Sequence, residues 1–280
     1  MAVIGGGTAV FTQTVSEGLK LLNSRRGPSW QKKNHNIHAH VHRHTKMETD
    51  EAAALSLLLL RVVGQRRPGG AAVAAKLLDS PGASADICDA DGFSLLAKAA
   101  RAGDEAMVSL LLSKGARTDL ATKENGNTPL LWAAGSNHVA VLRLLLGHRA
   151  EPMAQRNIQG DTALLWACRS GACESVSALL DVAAPLLTTS NNLGMTPLMC
   201  AAAGGHAVAL KLLVTFSHRL AAVTVPVDAR DKHGRTALHF AAAAESGRDC
   251  ALLLLGAGAD WSVRDEHGLT PLGEATKCRY

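Results

Sequence analysis

The chain has 280 residues, 47% of them apolar but only 3% aromatic, so Ala and Leu supply most of its core-forming side chains. That balance favours closely packed helices over an aromatic-rich β core. The longest nearly apolar run, Ala52 to Leu60, is nine residues long, whereas a membrane-spanning helix needs about 20, so no membrane insertion is expected.

The net charge of +5 is concentrated at the N-terminus. Residues 1–46 contain seven Lys or Arg and one Glu, whereas residues 47–280 contain 22 basic and 23 acidic residues. The second part therefore carries no basic stripe of the kind that binds nucleic acid, and no nucleic-acid partner is expected.

Six cysteines are scattered along the chain without the C-x-x-C spacing of a metal or redox site. They are predicted to be reduced thiols that fill small slots in the core. The residues from Met1 to Val10 lack the charged and long apolar parts of a secretion signal. These features predict a cytoplasmic protein with no cofactor and no metal site.

Residues 1–46 show no helical or strand periodicity and are predicted to be a disordered, basic and histidine-rich extension. Alternating imidazoles can bind Zn, Ni or Cu ions, but no Cys or carboxylate accompanies these. The shortage of acidic residues also fits a transit peptide. A solvated, low-complexity tail is favoured over both. The histidines concerned are His35, His38, His40, His42 and His44.

Residues 47–88 are predicted to form two helices, Glu51 to Gln65 and Ala71 to Leu78. An Arg-Arg-Pro-Gly-Gly breaker at 66–70 divides them. The stretch from Leu77 to Asp86 resembles the end of the units that follow. We interpret 47–88 as a degenerate N-terminal cap repeat.

Six glycines then recur in similar surroundings, with spacings of 34, 34, 34, 40 and 34 residues. A fixed period of this size predicts stacked supersecondary units that share one continuous core. The predicted units are 89–122, 123–156, 157–190, 191–230, 231–264 and the partial 265–280. The glycines are Gly92, Gly126, Gly160, Gly194, Gly234 and Gly268.

Each unit begins with a turn at its glycine, which suits the positive φ of a tight hairpin tip. Two residues later a hydroxyl side chain is predicted to cap the first helix, and proline follows in three units, where a missing N–H does no harm. The capping residues are Ser94, Thr128, Thr162, Thr196, Thr236 and Thr270. The second helix of each unit is apolar at helical spacing, and Leu145 and Leu213 are predicted core residues.

These units resemble ankyrin repeats. The family's T-P-L-H-x-A-A motif appears as Thr128-Pro-Leu-Leu-Trp-Ala-Ala and Thr236-Ala-Leu-His-Phe-Ala-Ala, with similar copies at Thr162 and Thr196. Its closing G-A-D motif stands at Gly258-Ala-Asp-Trp-Ser-Val-Arg-Asp265. The resemblance covers 89–280 and more weakly 47–88. It implies an all-α ankyrin-repeat solenoid of helix-turn-helix units with β-hairpin tips.

Three departures from the family pattern bear on the structure. Only His239 keeps the motif histidine, so most units lack its hydrogen bonds. The unit 191–230 has six extra residues within Ser217 to Pro226. The last unit stops after one helix, which leaves Leu272 and Ala275 without their usual cover.

The resemblance also implies protein binding along the concave surface made by the hairpin tips and inner helices. Leu193 and Met195 are predicted to expose an apolar anchor there, and Lys232 and Arg235 to attract an acidic group. The recurring Trp132, Trp166 and Phe240 are predicted to pack between units. The full set of candidate positions is Arg101, Glu124, Asn125, Asn127, Ile158, Asp161, Arg169, Leu193, Met195, Lys232, His233 and Arg235.

No catalytic motif accompanies these positions, because the chain lacks G-x-S-x-G, H-E-x-x-H and a complete phosphate loop. The sequence therefore predicts a non-enzymatic scaffold or adaptor that binds protein partners. Two other hypotheses remain open: a non-catalytic recognition subunit of an enzyme complex, and a metal-dependent role for the histidine-rich extension.

Overall fold

The computed structural model describes residues 53–63, 69–148, 150–151, 154–219 and 226–277. The predictions made for residues 1–46 lie outside these residues. Thirteen α-helices occupy the described part: α1 (53–63), α2 (Gly70–Leu78), α3 (Leu95–Ala102), α4 (Glu105–Ser113), α5 (Pro129–Gly135), α6 (Val139–Gly147), α7 (Ala163–Ser170), α8 (Cys173–Val182), α9 (Pro197–Ala203), α10 (Ala207–Arg219), α11 (Ala237–Ala243), α12 (Arg248–Gly256) and α13 (Pro271–Lys277).

The helices form two rows. The first helices of successive units, α3, α5, α7, α9, α11 and α13, each contact the next in their row, and the second helices α2, α4, α6, α8, α10 and α12 do the same. Within a unit the first and second helix also contact each other. These are the stacked units that the glycine period predicted, in the all-α solenoid that the ankyrin resemblance implied.

A continuous apolar core runs between the two rows. It is built mostly from Leu and Ala, and the predicted core residues Leu145 and Leu213 are both fully buried. Small alanines on the first helices, such as Ala133 and Ala167, are also fully buried and allow neighbouring helices to approach closely.

The hairpin tips are joined to one another by backbone hydrogen bonds. The carbonyl oxygen of a tip residue accepts the N–H of a residue in the next tip, as in Ile158 N to Asn125 O at 3.0 Å and Lys232 N to Leu193 O at 2.9 Å. In the described residues the extended pairing is limited to one isolated bridge between Cys88 and Ser94. The tips are therefore stacked turns rather than extended strands.

The predicted helix caps form in four of the six units. Ser94, Thr162, Thr196 and Thr270 accept hydrogen bonds from backbone N–H groups in the first turn. The prediction was wrong for Thr128, whose hydroxyl instead donates to Gln155 Oε1 at 2.6 Å. In the fifth unit the hydroxyl of Thr236 lies 3.0 Å from the Nδ1 atom of His239.

His239 makes the hydrogen bonds that the motif position implies. Its Nδ1 atom accepts the Thr236 backbone N–H at 3.2 Å, so Nε2 carries the proton and donates to the Leu269 carbonyl of the next unit at 3.1 Å. At the same position of the preceding unit, the sulfur of Met199 accepts the Thr196 N–H at 3.4 Å. A weak sulfur acceptor therefore replaces the ring, without its link to the next unit.

Part of the six-residue insertion lengthens a helix. Helix α10 has 13 residues, whereas α6 and α12 have nine each, and it ends at Arg219 inside the predicted insertion. Residues 220–225 lie outside the described part.

At the C-terminal end, Leu272 is 74% exposed, as expected for a first helix without a second helix beside it. None of the helices in the described residues combines the length and apolar character needed to cross a bilayer.

Candidate functional site

We call the surface formed by the hairpin tips and the first-helix row the tip face. The twelve positions predicted for partner binding divide into three groups there. Arg101, Glu124, Ile158, Leu193, Lys232 and His233 are exposed; Asn125, Arg169 and Arg235 are half-buried; Asn127, Asp161 and Met195 are buried.

The predicted apolar anchor needs correction. Met195 is only 6% exposed, because it immediately precedes the capping residue Thr196 and its side chain turns into the core. Leu193 is 48% exposed, and Ile158 of the preceding tip is 59% exposed. The exposed apolar pair on the tip face is therefore Ile158 and Leu193, on adjacent tips.

Asn127 and Asp161 were also wrongly predicted as surface residues, since both are fully buried. The Oδ1 atom of Asn127 accepts the side-chain amide of Asn157 at 3.1 Å, and Oδ1 of Asp161 accepts that of Asn191 at 2.8 Å. These bonds tie each tip to the next. A partner cannot reach the two side chains without breaking the stack.

Two arginines of the tip face are already held by buried carboxylates. Arg169 Nη2 lies 3.1 Å from Asp161 Oδ2, and Arg235 Nη2 lies 2.8 Å from Asp231 Oδ2, with Nε at 3.0 Å from the same oxygen. The guanidinium of Arg235, expected to attract a partner's acidic group, is already paired with an internal carboxylate, and its role in partner binding stays a prediction. Lys232 is exposed beside it.

His233 is the remaining predicted tip residue of this region. Its Nδ1 atom lies 2.6 Å from Glu266 Oε1 in the next tip, and both side chains are about half exposed, at 47% and 45%. The pair is open to solvent and contributes to the mixed charge of the tip face.

Aromatic rings line the first-helix row across three units. The centroids of Phe93 and Trp132 are 5.3 Å apart, and those of Trp132 and Trp166 are 6.5 Å apart with nearly perpendicular rings. This confirms the prediction that the tryptophans pack between units. The guanidinium of Arg101 stacks at 4.9 Å from the Trp132 centroid and 5.6 Å from that of Phe93.

Sequence reasoning missed the link between Phe93 and Arg101. The signal lay in the register: Phe93 immediately precedes its capping residue and Arg101 follows the cap by seven positions. Asp161 and Arg169 occupy the same two positions in the unit 157–190. A comparison of equivalent positions would have paired them.

The prediction that the cysteines fill core slots is confirmed for Cys168, Cys200 and Cys250, which are buried, and is wrong for Cys88, which is exposed. Burial raises the pKa of Cys200 to about 12, and burial also holds the pKa of Cys168 well above its ordinary value. Both thiols therefore stay protonated near neutral pH and act as small apolar residues.

The comparison with protein families decides the identity of this fold. The family model described as ankyrin repeats (3 copies) matches residues 67–156 and 184–265. The chain belongs to the ankyrin repeat family. Ankyrin repeats are generally protein–protein interaction modules and typically not catalytic.

Solved structures support the same assignment. The crystal structure of the ankyrin repeat domain of Bcl-3, described as a unique member of the IkappaB protein family, is similar to this chain with a TM-score of 0.61 and 26% sequence identity. The match covers 78% of this chain and 92% of that one. No curated protein matches this chain by sequence.

Proposed function

We propose that this ankyrin repeat protein is a non-catalytic scaffold or adaptor that binds protein partners through the tip face. The observation that carries the proposal is the pair of exposed apolar side chains, Ile158 at 59% and Leu193 at 48%, on two adjacent tips. Both project from tips whose backbones are held by hydrogen bonds to the next tip.

A rigid backbone makes these side chains good anchors. The Asn192 N–H bonds to Gln159 O at 2.9 Å, and the Asn192 side-chain amide donates to Ile158 O at 3.0 Å. A partner that covers Ile158 and Leu193 therefore does not have to order the loops that carry them. Apolar residues placed centrally among polar neighbours are the usual hot spots of an interface.

The polar surroundings suit the edge of such an interface. Glu124 and Asn125 lie at the tip before Ile158, and Lys232 and His233 lie at the tip after Leu193. Among the predicted partner-binding positions, the exposed charge thus changes from acidic at Glu124 to basic at Lys232. We expect this change to fix the direction in which a partner lies, because charges outside an apolar centre govern orientation more than affinity.

The test is a double variant, Ile158→Glu with Leu193→Glu, used in affinity capture with identification of partners by mass spectrometry. We expect partners captured by the unchanged protein to be lost, because two carboxylates cannot be buried in an apolar interface without a large cost. Their binding to the purified proteins is then measured directly.

The matched control is Val208→Glu with Leu252→Glu. These residues are 64% and 60% exposed on the second helices α10 and α12, so the change in charge is the same and the apolar surface removed is similar, but both lie off the tip face. The control should keep the partners. Retention of every partner by a normally folded tip variant, as judged by circular dichroism, would refute the proposal.

We further propose that the protein works in the cytoplasm without a nucleic-acid partner. Its buried thiols suit a reducing compartment, and residues 47–280 have nearly balanced charges, with 22 basic and 23 acidic residues. A fluorescent fusion of the full chain tests the first statement, and a titration with duplex DNA and RNA at physiological salt tests the second. Import into an organelle or salt-resistant binding would contradict them.

A further inference from the structure

Two arginines of the tip face stack on aromatic rings, but only one of them is also paired with a carboxylate of the protein. Arg235 stacks on the Phe240 ring at 4.4 Å and binds the buried carboxylate of Asp231 through Nε and Nη2. Arg101 stacks on Trp132 and Phe93 in a similar way. Within the described part of the chain, however, no carboxylate pairs with the Arg101 guanidinium.

Arg169, which occupies the same repeat position as Arg101, shows where a carboxylate for this arginine can come from. In the unit 157–190 the residue before the cap is Asp161, and it binds Arg169 at 3.1 Å. In the unit 89–122 the equivalent residue is Phe93. The position that would supply a carboxylate to Arg101 therefore supplies an aromatic ring instead.

The carboxylate of Asp89, at the start of the same hairpin, is already paired. Asp89 lies 2.7 Å from Lys98 Nζ, and its other oxygen accepts the N–H groups of Phe93 and Asp91 at 2.8 and 3.1 Å. Burial alone would raise the pKa of Asp89, but these hydrogen bonds, led by that from Lys98, lower it below the ordinary value. Asp89 is thus a charged acceptor whose two oxygens already bind other donors, and its ion pair is with Lys98 rather than with Arg101.

We propose that Arg101 binds a carboxylate of a protein partner, an Asp or Glu side chain flanked by an apolar residue that packs on Phe93 and Trp132. This deepens, and rests on, the proposed function of the tip face. The stacked rings hold the guanidinium in one orientation, so less side-chain freedom is lost on binding. An arginine fork matches the two oxygens of a carboxylate, and the half-buried rings strengthen the contact by excluding water.

The experiment uses the full chain and a random dodecapeptide library displayed on phage, selected at about 0.15 M salt so that only contacts within about 8 Å count. Peptides are selected on the unchanged protein and on Arg101→Gln in parallel. We expect clones enriched only on the unchanged protein to share an acidic residue beside an apolar one. Their synthetic peptides should bind Arg101→Gln at least tenfold more weakly.

Two further variants isolate the mechanism. Arg143→Gln removes the same charge from an exposed position of the second helix α6 and should leave peptide affinity within about twofold. Phe93→Asp introduces the carboxylate that Asp161 provides in its own unit. It should pair internally with Arg101 and also weaken binding at least tenfold, while circular dichroism shows an unchanged helix content.

The outcomes separate this inference from the proposed function. Selected peptides that lack acidic residues, or that bind Arg101→Gln as tightly as the unchanged protein, overturn the inference. If those peptides are lost in the Ile158→Glu, Leu193→Glu variant, the proposed function still stands. Displacement of the acidic peptides by millimolar inorganic phosphate would also overturn the assignment, because the site would then be a general anion site.

Discussion

Glycine at the hairpin tips meets two demands at the residue scale. Gly126 has a φ of +70°, and a Cβ atom built there would lie 2.9 Å from the backbone N of Ile158 in the next tip. Gly115, at the end of α4, has a φ of +78° but no atom within 4 Å of such a Cβ. Replacing Gly115 by Ala therefore costs only backbone strain, whereas replacing Gly126 adds a steric clash with the next unit.

We expect Gly115→Ala to lower the free energy of unfolding by about 1 kcal/mol, through the strain of positive φ alone. Gly126→Ala should cost about 3 kcal/mol, because overpacking adds roughly 1–3 kcal/mol to that strain. Urea denaturation followed by circular dichroism measures both. Equal losses would show that the tips can move apart and that their spacing is not fixed by the glycine.

The position of a residue within its hairpin tip decides whether its side chain is exposed. Met195, Asp161 and Asn127 each immediately precede a residue predicted to cap a helix, and all three are buried. Arg235, at the same position, is half-buried over Phe240. The side chain between the tip glycine and Ser94 or its equivalents therefore points toward the first-helix row, whereas residues before the glycine, such as Leu193, point to solvent.

At the scale of the element, each helix gains its stability from burial against neighbouring helices. Helices α5, α9 and α11 have only seven residues each, far below the length at which an isolated helix is stable in water. Their alanines and leucines are buried on several sides by the helices before and after them in the row. We therefore expect none of these three helices to be stable outside the stack.

This dependence makes the leucines of the second helices sensitive to truncation. Leu145 on α6 is fully buried, so Leu145→Ala should lower the free energy of unfolding by about 2–5 kcal/mol through lost burial and a residual cavity. Leu252→Ala on α12, at a position 60% exposed, should change it by no more than about 0.5 kcal/mol. Thermal and urea denaturation compare the two. A loss below about 1 kcal/mol for Leu145→Ala would mean that the neighbouring helices close the cavity.

At the scale of the whole molecule, the main helix contacts of the described residues run within a unit or between neighbouring units. First helices contact first helices, and second helices contact second helices, in an unbroken series from α2 to α13. In such a chain, stability is close to a sum of unit and nearest-neighbour terms. A destabilising substitution in a terminal unit should therefore unfold only that end of the stack, whereas one in a central unit weakens the interfaces on both of its sides.

Hydrogen exchange can test this locality. Leu254 on α12 is fully buried, so we expect Leu254→Ala to speed amide exchange in 231–277 and to leave 89–156 protected. Leu145→Ala should speed exchange over several units. Leu255→Ala, at a position 44% exposed on the same helix, is the control and should change little. Uniform loss of protection in Leu254→Ala would instead show one cooperative unit.

The repeat and its fold follow from the sequence because they depend on local chemistry repeated at a fixed interval. The glycine of each tip, the hydroxyl after it and the apolar spacing of each helix act within a few residues. Together they specify a unit that can bury its apolar face only against another copy. The all-α solenoid was therefore predictable in outline, including the uncovered Leu272 at its last helix.

Which residues of the tip face are exposed could be decided only by the tertiary structure, because exposure is set by contacts between units about 34 residues apart. Sequence alone gave Leu193 and Met195 similar standing, but the stack buries Met195 and exposes Ile158. The sequence also left open which arginines form internal ion pairs. In the structure Arg169 pairs with Asp161 and Arg235 pairs with Asp231. Arg101 lies over Phe93, which stands where Asp161 stands in its own unit. Residue type determines what a side chain can bind, and packing between neighbouring units determines whether that capacity is already used.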